Sequence, residues 1–125
     1  GNLYADIVVR NSELFERHGV NVVVHVPVSP VTATLGGKIE VPSPYGYVKA
    51  TVPAGIKSGH QLVVKGKGIK SDAVTGNLIA VLDIEGMTKL SDEQKELLEK
   101  LSKTMTDENV AGKAVFDSKV KEYYK

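Results

Sequence analysis

Three histidines have the widest chemical reach in this chain, and their placement argues against catalysis. His18 falls in a polar bend, His25 on a valine-rich strand and His60 in a turn. None has a ligand-type partner at helical or strand spacing, which reads as surface or half-buried imidazoles. The densest acidic group, Asp92, Glu93, Glu96 and Glu99, is accounted for by helix capping and i,i+4 pairing. No Gly-x-Ser-x-Gly occurs and no Ser/His/Asp set stands out. With no cysteine in the sequence, thiol nucleophiles, disulfides and cysteine-based metal sites are excluded within it. Gly66-Lys67-Gly68 has the residue types of a phosphate cradle, but the spacing fails. A P-loop needs Lys followed by Ser or Thr after a longer glycine interval, and Ser71 stands where the third glycine of a dinucleotide fingerprint belongs. The motif reads as a bulge or tight turn at a strand end. These residues describe a protein that is not an enzyme.

Lys57, Lys65, Lys67 and Lys70 make one segment locally basic. The two readings are a solvated loop and a dock for an acidic peptide tail. Nucleic acid fits poorly, because the strands lack the interleaved aromatics that stack bases and the net charge is only +1. A chain of 125 residues, 42% apolar and 25% charged, has the make-up of an ordinary globular protein: one domain, or one repeat with an appendage. No apolar run approaches the ~20 residues of a membrane helix, and the opening GNLYADIVVR is no signal peptide.

The elements that must position these residues follow from periodicity. Leu3, Ala5, Ile7 and Val9 alternate with other residues as a half-buried strand. A polar bend from Asn11 to Gly19 follows, with Leu14 and Phe15 as its apolar staple. Val20, Val22, Val24, Val26 and Val28 share one strand face, opposite Asn21, Val23, His25 and Pro27. Pro27 places that strand at an edge or leaves its own position unpaired. Ser29-Pro30 and Gly36-Gly37 bracket one helical turn. Between Leu35 and Ile69 short strands alternate with turns: KIEV, YVKATV and QLVVK, with Val48, Ala50 and Val52 on one face. Lys70–Thr75 is a polar loop, and Leu78, Ala80, Leu82 and Ile84 mark a further strand. Ser91 with Gln94 is a capping box opening a helix whose stripe is Leu97, Leu98, Leu101 and Met105. Thr106–Lys113 reads as a polar connector. Phe116, Val120, Tyr123 and Tyr124 share a final helical face.

Gly1-Asn2-Leu3-Tyr4-Ala5 recurs as Gly76-Asn77-Leu78-Ile79-Ala80, each copy opening an alternating strand. The echo suggests the second of two similar β-units, in a chain that begins partway through a longer one.

With these residues laid out, the chain resembles the C-terminal substrate-binding region of the DnaJ family of co-chaperones, and within it the second β-subdomain. The likeness rests on GNLY at 1–4, Phe15-Glu16-Arg17 with Gly19, VPVSP at 26–30 and LGGKIEVP at 35–42. It continues through VPAGIKSGHQL at 52–62, KGKGI at 65–69, GNL at 76–78 and LSDEQKELLEKL at 90–101. The fold implied is mostly β: a small β-sandwich-like subdomain of short antiparallel strands with one short internal helix, then C-terminal helices. Its parts would be a β-subdomain over 1–88, a helix packed on the sheet over 89–105, and a connector and dimerisation segment over 106–125.

The resemblance implies a homodimer joined through Phe116, Val120, Tyr123 and Tyr124. It also implies unfolded client polypeptides, a DnaK-type chaperone as partner of the full-length protein, and the cytoplasm as location. Val23, Ile39 and Val41 are the peptide contacts expected, and Lys57, Lys65, Lys67 and Lys70 the contacts for an acidic tail. No cofactor is expected in this stretch; zinc would belong to an upstream CxxCxGxG module, and no J-domain motif is present. The rival expectation is a spacer and dimerisation module, with client binding in another subdomain.

Overall fold

The computed structural model describes residues 12–125. The strand expected over Leu3–Val9 and the first copy of the echo lie outside the described residues. The chain divides into two units, Gly1–Met87 and Thr88–Lys125.

The first unit carries β1 (Phe15–His18), β2 (Asn21–Val28), the short helix α1 (Pro30–Leu35), β3 (Gly37–Ser43), β4 (Gly46–Val52), β5 (His60–Val64) and β6 (Leu78–Ile84). A four-stranded sheet runs in the order β1-β2-β6-β5, and β3 and β4 form a separate hairpin. Alternation decides what lies between them. Val22, Val24 and Val28 of β2 and Leu78, Ala80 and Leu82 of β6 are buried. From the hairpin come Val41 and Val52, with Ile39, Val48 and Ala50 packed against the same cluster. This is the mostly β, sandwich-like arrangement that the resemblance implied, with its single internal helix. In α1 the Ser29 hydroxyl accepts from the Thr32 N–H at 3.1 Å. The helix stops at Gly36, whose φ of 76° suits glycine.

Two features differ from expectation. The stretch from Asn11 to Gly19 is not only a bend: Phe15–His18 is a strand paired antiparallel to Val24–Asn21, with Phe15 beside Val24 over the core. Four residues are too short for periodicity to declare them. The strands are also not all antiparallel. β2 pairs β6 in parallel from Val22↔Leu78 to Val28↔Ile84, a relation set by the long crossover between them, which alternation does not encode.

Pro27 therefore lies on an interior strand, and the structure shows how it is accommodated. The Val22 N–H donates to the Asn77 carbonyl and the Glu85 N–H to the Val28 carbonyl, both at 2.9 Å. Even-numbered residues of β2 thus turn their backbone groups toward β6, and odd-numbered ones turn away. On that other side β1 reaches only from Asn21 to Val24. The N–H that Pro27 lacks falls beyond β1, where no strand pairs among the described residues.

Three loops lock together at the start of β6. The Ile69 N–H donates to the Val20 carbonyl at 2.8 Å, Gly68 to Gly76 at 3.0 Å and Gly76 to Ile69 at 2.9 Å. The Asn77 N–H donates to Asn21 Oδ1 at 2.9 Å, and Asn77 Oδ1 accepts from the Gly66 N–H at 3.2 Å. A Cβ on Gly76 would collide with the Val20 carbonyl, and one on Gly68 would lie 2.5 Å from the Asn77 carbonyl oxygen. Both glycines are demanded by backbone-on-backbone approach. At the other end of this loop the Lys70 N–H donates to the Tyr45 hydroxyl at 3.1 Å, with Lys70 Nζ 5.1 Å over the ring.

The second unit has α2 (Asp92–Thr104), a 3-10 turn (Asp107–Val110) and α3 (Ala111–Tyr123). The Ser91–Gln94 capping box is complete, and Lys100 meets Glu96 at 3.4 Å. The expected connector over 106–113 is ordered instead. Asn109 Oδ1 accepts the Thr106 N–H at 2.8 Å and opens the 3-10 turn, and Ala111, Gly112 and Lys113 already belong to α3. Neither helix nor the turn between them contains a buried residue.

Candidate protein-binding surfaces

One face of the four-stranded sheet is the core; the other is built from the residues in the opposite phase. Val23 lies beside Ile79, Val63 lies across from Ile79, and Gln61 lies across from Val81. Cross-strand partners share a face, so Val23, Ile79, Val63 and Val81 form a continuous aliphatic patch. Val63 is 56% exposed. Two imidazole–carboxylate pairs rim it: His25 Nδ1 to Asp83 Oδ2 at 2.9 Å and His18 Nε2 to Glu16 Oε1 at 3.0 Å.

The patch adjoins an open strand edge. The odd residues Asn77 and Glu85, at either end of β6, bond to β2, so the even ones serve β5, as the Gly59 N–H to Leu82 carbonyl bond of 2.8 Å shows. His60, Leu62 and Val64 sit opposite Leu82, Ala80 and Leu78. Gln61 and Val63 therefore turn their N–H and C=O groups outward, since β5 ends the sheet among the described residues. An extended chain laid along this edge would gain main-chain hydrogen bonds and find Val63 and Ile79 beside it.

Of the three peptide contacts expected, only Val23 lies on this face. Val41 is fully enclosed in the core and Ile39 packs against it; the hairpin turns both inward, so Val41 has no surface to offer a ligand. Sequence reasoning missed Val63, Ile79 and Val81. The signal was there: in QLVV and LIAVL both phases of the alternation are apolar, which marks a strand with apolar contacts on both faces.

The four lysines do not form one cluster. Lys65, Lys67 and Lys70 follow β5, while Lys57 precedes it at the opposite end. The Gly66-Lys67-Gly68 motif is a turn at the end of β5, with Gly66 at φ 77°. His60 is the first residue of β5 rather than part of a turn. Among the described residues no group of three or more His, Cys, Asp or Glu could hold a metal ion, and no helix is long and apolar enough to cross a membrane.

In α3, Phe116 is 62% exposed, Tyr123 84% and Tyr124 79%, while Val120 is half-buried. The two tyrosine rings meet edge-on with centroids 5.4 Å apart. At the elbow between α2 and α3 lies a cleft of about 230 Å³, floored by Met105, Val110 and Ala114 and edged by Lys113 and Asp117. Lys113 Nζ donates to both Asp117 oxygens, at 3.0 and 2.9 Å.

Comparison with known proteins agrees with this architecture. Relatives named chaperone protein DnaJ are 41% identical in Fusobacterium nucleatum subsp. nucleatum over the whole of this chain. The identity is 41% in Neisseria meningitidis over 85% of it and 38% in Acholeplasma laidlawii over 94%. The chain spans about a third of the length of these relatives, with 32%, 29% and 32% covered respectively. The family model for the DnaJ C terminal domain matches residues 1–86, the stretch that includes the sandwich and its glycine-locked loops, and the chain belongs to that family.

Proposed function

We propose that this chain is the client-holding and dimerising module of a DnaJ-type co-chaperone. It binds unfolded polypeptide and, within a full-length cytoplasmic protein, passes it to a DnaK-type chaperone. The observation that carries client binding is the aliphatic patch of Val23, Ile79, Val63 and Val81 beside the open edge of β5. An unfolded client exposes apolar side chains and unpaired backbone, and this surface answers both. No bond is made or broken in that task, and no cofactor is needed in this stretch; zinc would serve an upstream module.

Dimerisation through Phe116, Val120, Tyr123 and Tyr124 is supported by the exposure of the three aromatic rings and by the lack of any buried residue in α2 or α3. Aromatic side chains bury about 150–250 Å² each. Three of them on each of two copies approach the roughly 1,000 Å² that a specific interface requires. The lysines after β5 would attract an acidic peptide tail, and that attraction should weaken several-fold between low and physiological salt, measured by titration with an acidic peptide.

The test of client binding is Val63→Glu. The side chain is exposed, so the fold should be unchanged by circular dichroism. Suppression of aggregation of a denatured client, followed by light scattering, should fall several-fold. Unchanged suppression would remove the patch from the proposal. A wild-type chain that dimerises yet suppresses nothing would leave the spacer and dimerisation reading, which the self-uncovered second unit also supports.

A further inference from the structure

The aliphatic patch beside β5 is charged unequally at its two ends, and we infer that it selects extended client segments by their charge order. The favoured order is an acidic residue, two aliphatic residues at alternate positions, then a basic residue, laid antiparallel to β5. The inference rests on the client-holding reading and adds a direction and a sequence rule to it. Where β5 ends, Lys65, Lys67 and Lys70 outnumber Asp72 of the following loop. At the other end Asp83 and Glu85 outnumber Lys57. Lys65 is the next residue in the phase of Gln61 and Val63. Asp83 shares the phase of Ile79 and Val81, and Glu85 keeps it, since its N–H still donates to the Val28 carbonyl at 2.9 Å. Lys65 and Glu85 are exposed and have no ion-pair partner among the described residues. Asp83, with its side chain 50% exposed, gives only Oδ2 to His25. Asn77 stands one step beyond the Val64↔Leu78 pair, level with Lys65. From there to Asp83 is ~20 Å at ~3.3 Å per residue, beyond the ~10 Å over which salt at 0.1 M lets exposed charges act. The two poles therefore work separately.

The free edge converts those poles into a direction. A strand antiparallel to β5 puts one residue directly opposite Val63 and another opposite Gln61, each exchanging N–H and C=O with its partner. Cross-strand partners share a face, so these two residues lie beside Val63 and Gln61, with Ile79 and Val81 one strand further in. Two positions toward its N-terminus the client passes Lys65. Two positions toward its C-terminus it passes the turn at Gly59, which has no side chain to screen Asp83, and a Lys or Arg need cross only one strand spacing of ~4.8 Å. The reverse charge order meets like charges at both ends unless it runs parallel, the less stable pairing.

The experiment compares two capped peptides, ETVTVTK and its reversal KTVTVTE, which have the same composition and net charge. They compete for the full chain against fluorescein-labelled ETVTVTK, read by fluorescence anisotropy. ETVTVTK is expected to bind roughly threefold to tenfold more tightly at low salt, with the advantage vanishing near 0.5 M salt. The paired exchange Lys65→Glu with Glu85→Lys alters exposed side chains only and should reverse the preference, with circular dichroism as the control for folding. N-methylation of the first valine removes the N–H that meets the Val63 carbonyl and should weaken binding at least tenfold; on the threonine before it, whose N–H points away, it should do little. Equal affinities, or a preference that the exchange leaves in place, would overturn the charge order. Peptides that bind equally and are both lost in Val63→Glu would leave the holding surface standing. Failure of both peptides to bind would also overturn the inference, and together with client holding indifferent to Val63→Glu would overturn both readings.

Discussion

At the scale of single residues, the glycines divide by what surrounds them. Gly76 has the Val20 carbonyl where its Cβ would be, whereas Gly86 has nothing within 4 Å. Gly76→Ala must push β2 away from the start of β6 and break the bonds among Val20, Gly68, Ile69 and Asn77. Its cost is expected to exceed about 3 kcal/mol in urea unfolding, within the range of severe backbone and packing damage. Gly86→Ala should stay within about 0.5 kcal/mol of wild type. A mild Gly76→Ala would mean that the three loops yield rather than lock. The KGKGI and GNL motifs, separated in sequence, are thus parts of one backbone crossing. Their lysine has the residue type of a phosphate cradle, but its glycines serve contact between strands.

At the scale of elements, helix α2 and strand β2 show how far sequence reaches. Ser91 accepts the Gln94 N–H at 3.2 Å while Gln94 Oε1 accepts the Ser91 N–H at 2.8 Å. Ser91→Ala is expected to cost ~1 kcal/mol. Because α2 encloses nothing of its own, the loss should appear as faster amide exchange across α2 with the sheet unchanged. Exchange that is uniform across the chain would refute a local effect. The capping box, the α1 brackets and the alternation of β2, β4 and β6 were legible because each is written within a few neighbouring residues. The parallel pairing of β2 with β6, the strand at Phe15–His18 and the inward turn of Val41 were not, since they depend on partners remote in sequence. Val63, Ile79 and Val81 lay between. Their apolar phase was visible, but the register that joins them to Val23 was not.

At the scale of the whole molecule, the holding surface proposed for the sheet and the pairing proposed for the tail would complete one another. The two 13-residue helices of the second unit are near the length at which isolated helices are marginal, so a second copy that covers α3 would also stabilise it. Deleting Ala114–Lys125 is expected to yield a monomer by sedimentation. The sheet should stay folded, since every described residue of the core cluster lies between Phe15 and Ile84. Client holding should then fall by more than the number of surfaces lost. Two weak sites on one dimer act on the same client at high effective concentration, and avidity of roughly 10²–10⁴ can arise without any new contact. Appending an unrelated dimerising coiled coil to the truncated chain should restore much of that holding if pairing is what the tail contributes. Restored pairing without restored holding would show instead that the tail itself touches the client. A truncated chain that remains dimeric would place the interface outside α3 altogether.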